Sequence, residues 1–597
     1  MIHTRRLLSG LLALALTFAA VGCKKEEAPV PAPGPSASSP AQSEFDLFVM
    51  EQFRDNLEAD YTSLHQTLVH PESYDIDPSK VEVTMGQPLT AENLETFRQE
   101  NDAISEKLAA FPYEELTPYQ QETYDMIRFE LDNAIASMDG DFAYMQNLFS
   151  PMGGLQNSLA TFFMEYDFYK PQDVADYITL MKDTPNYIGG MLEYTKIQAE
   201  KGFFMSQGAA DQTIAYCDRI LKDAEDSAIL KAILHNIDSF GLLSPEQKEE
   251  YKQQASEAFH SSIIPSYEMI RDTLSSLRSD SSNQLGLAHL PKGKDYYEIL
   301  FRTKTGTFRS IEDVRHLLEQ YIHQALYNLS TIAAENREAY DAYLQGTNTS
   351  GFEDYPSMEA ALEKMKDGVF PPIHPVSYTI DYLDPQVSVD GVSAYYVVPP
   401  LDGDLPQKMK VNPNSGMAVS SLGSFSTAAH EGIPGHLYHH NYMMQNLPDP
   451  FRQTTSFIGY NEGYATYVEL LALEWLDLDP DAIAVEQNYA LFQNCMIALS
   501  DIGIHYDGWT KEDMQDYFDQ YLKLDVSEIY DQIQANPGAF LPYYVGHLEF
   551  LELRKEAENA LGNKFREVDF HTAILKSGSA PFEIVAQNVE DYITNAR

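Results

Sequence analysis

Two short segments of this 597-residue chain carry side chains that could hold a metal ion. The first contains His430, Glu431 and His436, and the second contains Glu462, 26 residues after His436. Two neutral imidazoles and one carboxylate form a three-ligand zinc site that leaves one coordination position for water. Glu431, beside the first histidine, would take a proton from that water as a general base. The pattern therefore predicts metal-assisted hydrolysis.

The six-residue spacing between the two histidines requires a break in the helix that carries them. An undistorted helix turns by about 100° per residue, so the second side chain would point about 120° away from the first. Pro434 lacks the N–H that would bind the carbonyl of His430, and Gly435 adds backbone freedom. We therefore predict a broken turn at residues 433–435 that brings His436 back toward His430.

A rival pair of histidines lies in the same segment. His440 follows His436 by four residues, the common spacing of two ligands on one helical face, and His439 follows it by three. In this arrangement Glu431 is no longer the neighbour of the first ligand, and no other carboxylate stands beside the pair. The pair of His430 and His436 is favoured, and the rival pair stays open.

The elements around these residues are predicted to be mostly helices. Apolar residues recur at three- and four-residue spacing from about residue 43, and capped helices are expected at Thr117, at Ser244, over residues 311–343 and over residues 510–524. Residues 424–429 are expected to cap and start the helix that leads to His430. Residues 376–383, 393–398 and 408–411 are predicted to form two or three short strands of a small sheet. The predicted fold is mainly α, with a small β-sheet beside an active-site cleft.

The N-terminus has the features of an export signal. Arg5 and Arg6 precede an apolar stretch, so residues 1–22 are predicted to be a signal peptide. Ala-Val-Gly-Cys at residues 20–23 resembles a bacterial lipobox, which predicts a lipid anchor on Cys23; an ordinary signal peptide is the alternative. Residues 23–42 form a Pro/Ala/Ser-rich tether, and residues 43–597 form the catalytic region, in one body or in two lobes around a cleft. The predicted location is extracytoplasmic and membrane-anchored.

Composition excludes several classes of protein. The 40 basic and 90 acidic residues give a net charge of −50, which argues against a nucleic-acid partner. A hydrophobic content of 44% excludes wholesale disorder. Three cysteines cannot form a disulfide framework. Cys217 and Cys495 lie in apolar, helix-like surroundings and are predicted to be inert core thiols, although pairing between them stays open.

The two metal-site segments resemble a known motif. The bacterial domain-of-unknown-function 885 family has His-Glu-x-x-Pro-Gly-His followed by Glu-Gly-Trp-x-x-Tyr-x-Glu, and it is grouped with the gluzincin metallopeptidases. The resemblance implies that His430, His436 and Glu462 bind Zn²⁺ and that Glu431 is the catalytic base. It covers most of the chain from about residue 45, and further similar stretches lie at residues 293–297, 395–400, 402–403, 411–412, 543–546, 553–554, 570–571 and 578–582.

The chain departs from this motif at three positions. Tyr464 replaces the usual Trp, and His439 replaces a more common Gln. Thr466 stands where gluzincins usually have an Asp, four residues after the ligand Glu, so the carboxylate that orients a histidine ligand must come from elsewhere. These differences concern the surroundings of the site rather than its metal.

Four other residues are weaker candidates. Glu469 lies on nearly the same helical face as Glu462 and could orient a ligand imidazole, or it could be an ordinary salt-bridged carboxylate. Tyr543 matches the family's Tyr-x-x-Gly and could donate a hydrogen bond to the reacting carbonyl oxygen, although a packing role is also open. His571 is favoured as a structural histidine. Arg554 is favoured as the partner of an acid rather than as a substrate ligand.

Together these features predict a lipid-anchored zinc metallopeptidase whose substrate is a peptide. The first alternative is hydrolysis of an ester or of a cell-wall amide at the same metal. The second is a tethered protein that binds peptide or metal without turnover. The intact Glu431 argues against this second alternative, because binding alone needs no general base at that position.

Overall fold

The computed structural model describes residues 39–222, 224–281, 283–383 and 392–597. The predicted signal peptide, Cys23 and most of the tether lie outside the described residues. Helix α1 begins at Pro40, three residues before the predicted start of the catalytic region at residue 43. Ser39 caps this helix by accepting a hydrogen bond from Gln42 N, and the Gln42 side chain binds the Ser39 backbone in return, so the helix is fixed at its earlier start.

The helices before residue 278 pack around one hydrophobic core. In α1, Phe45, Phe48, Val49 and Phe53 recur at helical spacing and are buried together, as the sequence predicts. The predicted caps at Thr117 and Ser244 are confirmed, each with a glutamine that completes a capping box. The helices are α1 (Pro40–Glu58), α2 (Tyr61–Thr67), α3 (Ala91–Ala109), α4 (Pro118–Ser137), α5 (Leu155–Met164), α6 (Pro171–Glu200), α7 (Gln207–Lys222), α8 (Ala228–Ser239), α9 (Pro245–Ala258) and α10 (Ile264–Leu277).

Four helices link this region to the sheet: α11 (Gly293–Thr305), α12 (Ile311–Glu335), α13 (Arg337–Leu344) and α14 (Tyr355–Met365). The predicted single helix over residues 311–343 is therefore wrong, because the structure divides it at Asn336. The Asn336 side chain accepts a hydrogen bond from Ala339 N and starts a second helix there.

The predicted strands are confirmed as three strands of one small sheet. They are β1 (Tyr378–Tyr382), β2 (Ala394–Val397) and β3 (Gln407–Val411). β3 lies in the middle, parallel to β1 and antiparallel to β2. Alternate residues of β3, from Gln407 to Val411, are buried, so one face of the sheet packs against the helices.

The remaining chain is helical. The helices are α15 (Leu422–Glu431), α16 (His436–Asn446), α17 (Pro450–Gln453), α18 (Ile458–Ala472), α19 (Pro480–Ile502), α20 (Lys511–Phe518), α21 (Ser527–Ala535), α22 (Leu541–Leu561), α23 (Glu567–Leu575) and α24 (Phe582–Ala596). The predicted helix over residues 510–524 is too long. Gln515 binds the backbone of Leu524 and Val526, so the chain folds back after α20 instead of continuing as a helix.

Helices α18 and α22 approach each other backbone to backbone. A Cβ atom on Gly463 would lie 2.4 Å from the carbonyl carbon of Gly546, and one on Gly546 would lie 2.1 Å from the oxygen of Gly459. Only glycine fits at these contacts. The close approach places Glu462, on α18, near Tyr543, one turn before Gly546 on α22.

Both predicted core thiols are buried and unpaired. Cys217 and Cys495 are free cysteines, so pairing between them is excluded. Burial raises the pKa of the Cys217 thiol to about 12, which makes it unreactive at neutral pH. Within the described ranges, no helix combines the length and the apolar character that a membrane span requires.

Candidate metal centre

Helix α15 carries the first histidine and glutamate on its last two residues. Ser421 caps this helix by accepting a hydrogen bond from Ser424 N, so the helix opens at Leu422. The helix therefore starts slightly before the predicted residues 424–429: Ser424 already lies in its first turn, and its hydroxyl donates to Ala418 O. His430 and Glu431 end the helix as buried residues, 8% and 9% exposed.

The predicted break between the two histidines is confirmed. Helix α15 ends at Glu431, and α16 begins at His436. Between them Gly435 N donates to Ala429 O at 2.9 Å, so the backbone folds back over the end of α15. This fold brings the rings of His430 and His436 to a centroid distance of 4.9 Å.

Side chains from two other helices hold this turn in place. Glu359, on α14, is fully buried and accepts a hydrogen bond from Ile433 N at 3.1 Å. Tyr464, on α18, donates from its hydroxyl to Pro434 O at 3.0 Å. Tyr464 therefore has a clear role at the position where the resembling motif has Trp.

The three predicted ligands converge. Each of these residues offers one ligand atom, and the three atoms, from His430, His436 and Glu462, lie within 4.8 Å of one another. Glu462 Oε2 is 3.5 Å from His430 Nε2 and 3.4 Å from His436 Nε2. Nitrogen and oxygen ligands about 2.0–2.1 Å from a tetrahedral zinc stand about 3.3 Å apart, close to these separations. Glu462 Oε2 is also buried without a hydrogen-bond partner. The donor set and its spacing therefore fit zinc.

The charges around this group are predominantly negative. Burial lowers the pKa of His430, but the neighbouring carboxylates of Glu462 and Glu469 raise it by more, so its net pKa lies well above the ordinary value. Burial raises the pKa of Glu462, but His436 and His430 lower it by more, and its net pKa falls below the usual range. Glu462 is thus an anion beside two imidazoles, as a metal-binding carboxylate must be.

Glu431 lies beside the same group. The backbone N–H of Tyr396, on strand β2, donates to Glu431 Oε2 at 2.8 Å, so the sheet borders the site, as predicted. Burial raises the pKa of the Glu431 carboxyl, and the charges of His430 and His436 lower it in part. A buried carboxylate with a raised pKa is a stronger proton acceptor than an exposed one.

Two further predicted candidates, Glu469 and Tyr543, contact His430. Glu469 Oε2 lies 2.8 Å from His430 Nδ1, the ring nitrogen that faces away from Glu462. Glu469 thus supplies the orienting carboxylate that Thr466 cannot. The ring of Tyr543 stacks on His430 at a centroid distance of 6.1 Å. The charge of Glu462 raises the pKa of the Tyr543 phenol well above its ordinary value, so the phenol keeps its proton.

The structure does not support the rival pair. Among the described residues, the group with His430, His436 and Glu462 is the one whose ligand atoms converge, and neither His439 nor His440 belongs to it. His440 lies against the ring of Tyr396. Burial lowers the pKa of His440 to about 4 and that of His439 to about 3, so both stay neutral in the core.

Arg554 and His571 take the structural roles favoured by the sequence. Arg554 pairs with Glu558 and Glu567 and donates to the hydroxyl of Tyr467. His571 is fully buried and has a partner at both ring nitrogens, Tyr467 Oη at 2.9 Å and Val369 O at 2.7 Å.

Sequence reasoning missed two residues that support the site, Glu359 and Tyr396. Glu359 stands in an ordinary amphipathic helix, and no local signal separates it from a solvated glutamate. Tyr396 acts through its backbone N–H, which any residue but proline could supply. Both are found only from the tertiary structure.

Similar folds occur among solved structures. One is the "putative lipoprotein from Colwellia psychrerythraea", with a TM-score of 0.80, 18% identity, and coverage of 93% of this chain and 99% of that chain. A "putative lipoprotein of unknown function from Shewanella oneidensis" has a TM-score of 0.54, 15% identity and the same two coverages. A "putative oligoendopeptidase F from Bacillus anthracis str. Ames" reaches a TM-score of only 0.32, with 12% identity over 85% of this chain and 96% of that one.

No curated protein matches the sequence. The family described as bacterial protein of unknown function (DUF885) matches residues 83–589, which include the sheet, both histidine-bearing helices and the helices that carry Glu462 and Tyr543. The chain therefore belongs to the DUF885 family.

Proposed function

We propose that this protein is a zinc-dependent hydrolase that cleaves peptides. The observation that carries the proposal is the convergence of the His430, His436 and Glu462 ligand atoms within 4.8 Å, with Glu431 next to them. Under this proposal the three converging side chains hold the metal and Glu431 is free for proton transfer. The buried Glu431 favours hydrolysis over simple binding, because binding alone needs no general base at that position.

Each residue then has a defined task in the reaction. Zinc, when bound, supplies a Lewis acid that polarises the scissile carbonyl and acidifies water. Glu431 accepts a proton from the attacking water and passes it to the departing amine. Tyr543, with its proton retained, donates a hydrogen bond to the carbonyl oxygen as negative charge develops there. Glu469 holds His430 so that Nε2, rather than Nδ1, faces the metal position.

We also propose that the protein acts outside the cytoplasm, on a membrane to which a lipid on Cys23 anchors it. The lipobox-like segment supports this location, as do the two similar structures described as lipoproteins. Replacing Cys23 with Ala should release the protein from the membrane fraction into the soluble fraction. Unchanged retention in the membrane fraction would refute the anchor.

The metal assignment is tested by elemental analysis of a purified protein that consists of residues 39–597, and of variants of that protein. The wild type should contain about one zinc per chain. His436→Ala should lose the metal, whereas His440→Ala should keep it. Loss of the metal in His440→Ala would support the rival pair of His436 and His440.

The proton-transfer assignment is tested with Glu431→Gln. This variant should keep the metal and lose hydrolysis of a mixed peptide library, followed by mass spectrometry. Full activity in Glu431→Gln would remove the proposed base. Cleavage of esters but of no peptide in the wild type would keep the metal chemistry and reject the peptide substrate.

A further inference from the structure

Lys304 lies next to the helix that carries Glu462, close enough for the charge of Glu462 to act on it. It lies in the last turn of α11, one residue before Thr305. A Cβ atom on Gly459 would lie 2.0 Å from Thr305 O, so the end of α11 touches the first turn of α18. Glu462 follows on α18, three residues after Gly459. The backbone contact therefore fixes Lys304 near a proposed metal ligand.

The Lys304 side chain also reaches the segment that leads to Tyr543. Its Cγ atom would lie 3.4 Å from a Cβ atom on Gly538, three residues before α22 begins. Tyr543 is in the first turn of that helix. The half-buried lysine thus lies between the start of α18, which carries Glu462, and the segment that leads into α22, which carries Tyr543.

The ammonium group of Lys304 has no ion-pair partner. Across the described ranges, no carboxylate lies within 4.0 Å of it. Asp501 and Glu462 are near enough for their charges to act on it, but both oxygens of Asp501 are used by Tyr297 Oη at 2.6 Å and Gly538 N at 2.9 Å. Burial lowers the pKa of Lys304, and these two charges offset only part of that shift.

An unpaired, half-buried cation is unusual in a chain with 90 acidic and 40 basic residues. Among the described residues, the buried Arg452 is paired with Glu122, and Arg309 is paired with the buried Glu549. A charge that is partly desolvated and unpaired costs free energy. An anionic ligand that pairs with it would offset this cost. The position of Lys304 beside the metal site indicates that this ligand is the substrate.

We infer that Lys304 binds the C-terminal carboxylate of the peptide substrate, so that the protein cleaves short peptides close to their C-terminus. The inference rests on the proposed peptidase function. A free carboxylate is the one anionic group that a linear peptide carries whatever its sequence, and the other carboxylates near the site are the protein's own. An acidic side chain of the substrate has the same chemistry, and the experiment below separates the two sources.

The test compares three peptides of one neutral sequence: the free acid, the C-terminal amide, and the amide with one Asp near its end. The wild type should cleave the free acid at least about tenfold more efficiently, in kcat/KM, than either amide. In Lys304→Met the ratio of acid to amide should fall to about one, and Lys304→Arg should recover part of it. Lys294→Met, an exposed lysine on the same helix, is the matched control and should keep the wild-type ratio.

Each contrary result has a distinct meaning. Equal cleavage of acid and amide by the wild type overturns the inference and leaves the peptidase function intact. A preference for the Asp-containing amide over the free acid assigns Lys304 to side-chain recognition and overturns the C-terminal assignment. If no peptide is cleaved, the peptidase function fails, and calorimetric binding of acid and amide decides the inference. Tighter binding of the acid that is lost in Lys304→Met supports it, and equal binding of both peptides rejects it.

Discussion

His430 Nδ1 and Glu469 Oε2 are 2.8 Å apart, while His430 Nε2 is 3.5 Å from the carboxylate of Glu462. The imidazole is therefore held at one nitrogen by a carboxylate that takes no part in the converging group, and its other nitrogen faces that group. A carboxylate on the distal nitrogen fixes the tautomer and orientation of a histidine ligand and raises its basicity.

Glu469→Gln should weaken zinc binding by about 10–100-fold, because the amide cannot supply the negative charge that the carboxylate gives to the imidazole. The measurement is competition for zinc with a chelator of known affinity at pH 7.5. Glu474→Gln, on the following turn and hydrogen-bonded to Gln487, is the matched control and should bind zinc as the wild type does. Wild-type affinity in Glu469→Gln would show that the contact with His430 does not support the metal.

The convergence of the histidines was predictable because its cause is local. Pro434 removes a backbone donor and Gly435 permits an unusual turn, so the chain between His430 and His436 cannot stay helical. The strands were equally predictable, since short runs of β-branched and aromatic residues are separated from one another by Pro, Gly and Asp. In each case the signal lies within a few residues of its effect.

The remaining features depend on contacts between residues distant in sequence. Glu359 is 74 residues from Ile433, and Tyr396 is 35 residues from Glu431. Lys304 meets the site only because α11, α18 and α22 pack together. Helix ends were missed for a related reason, since Gln515 stops α20 by binding backbone groups beyond the helix. Propensity and spacing carry no information about such partners.

Tyr543→Phe should lower kcat by about 10²–10³-fold and leave the zinc content unchanged, because it removes one hydrogen-bond donor to the developing charge. The measurement is steady-state kinetics on a peptide found in the library digest, together with metal analysis. Tyr544→Phe is the matched control: its ring stacks on Phe540 instead of His430, and its kcat should stay near wild type. An unchanged kcat in Tyr543→Phe would leave the tyrosine with a packing role only.

Gly432→Ala should disturb the turn that joins the two histidines. The new Cβ atom would lie 2.0 Å from Glu359 Oε1, a buried atom that has little room to move. We expect a loss of about 1–3 kcal/mol in the free energy of unfolding, together with weaker zinc binding. Thermal unfolding and chelator competition would measure the two effects.

The double variant Gly432→Ala/Glu359→Ala separates a steric effect from a general loss of flexibility. It removes the clash, so it should bind zinc better than Gly432→Ala alone, although Ile433 N loses its acceptor. If the double variant binds zinc no better than Gly432→Ala, contact with Glu359 is not the cause.

Glu130 makes the stability of the protein depend on pH. This half-buried carboxyl on α4 has no hydrogen-bond or ion-pair partner in the part of the chain that the structure describes. Burial raises its pKa from 4.5 to about 8. Between these two values the folded protein keeps a proton that the unfolded chain releases. The free energy of unfolding should therefore fall as the pH rises through this range.

Glu130→Gln removes this titration, because the amide resembles the protonated acid in shape and stays neutral. The variant should match the wild type near pH 4.5 and be more stable by about 4 kcal/mol near pH 8.5. The measurement is urea-induced unfolding of both proteins at the two pH values. Glu106→Gln, at an exposed position on α3, is the control and should follow the wild type at both. If wild type and Glu130→Gln lose stability equally between the two pH values, the carboxyl ionises as freely in the folded protein as in the unfolded chain.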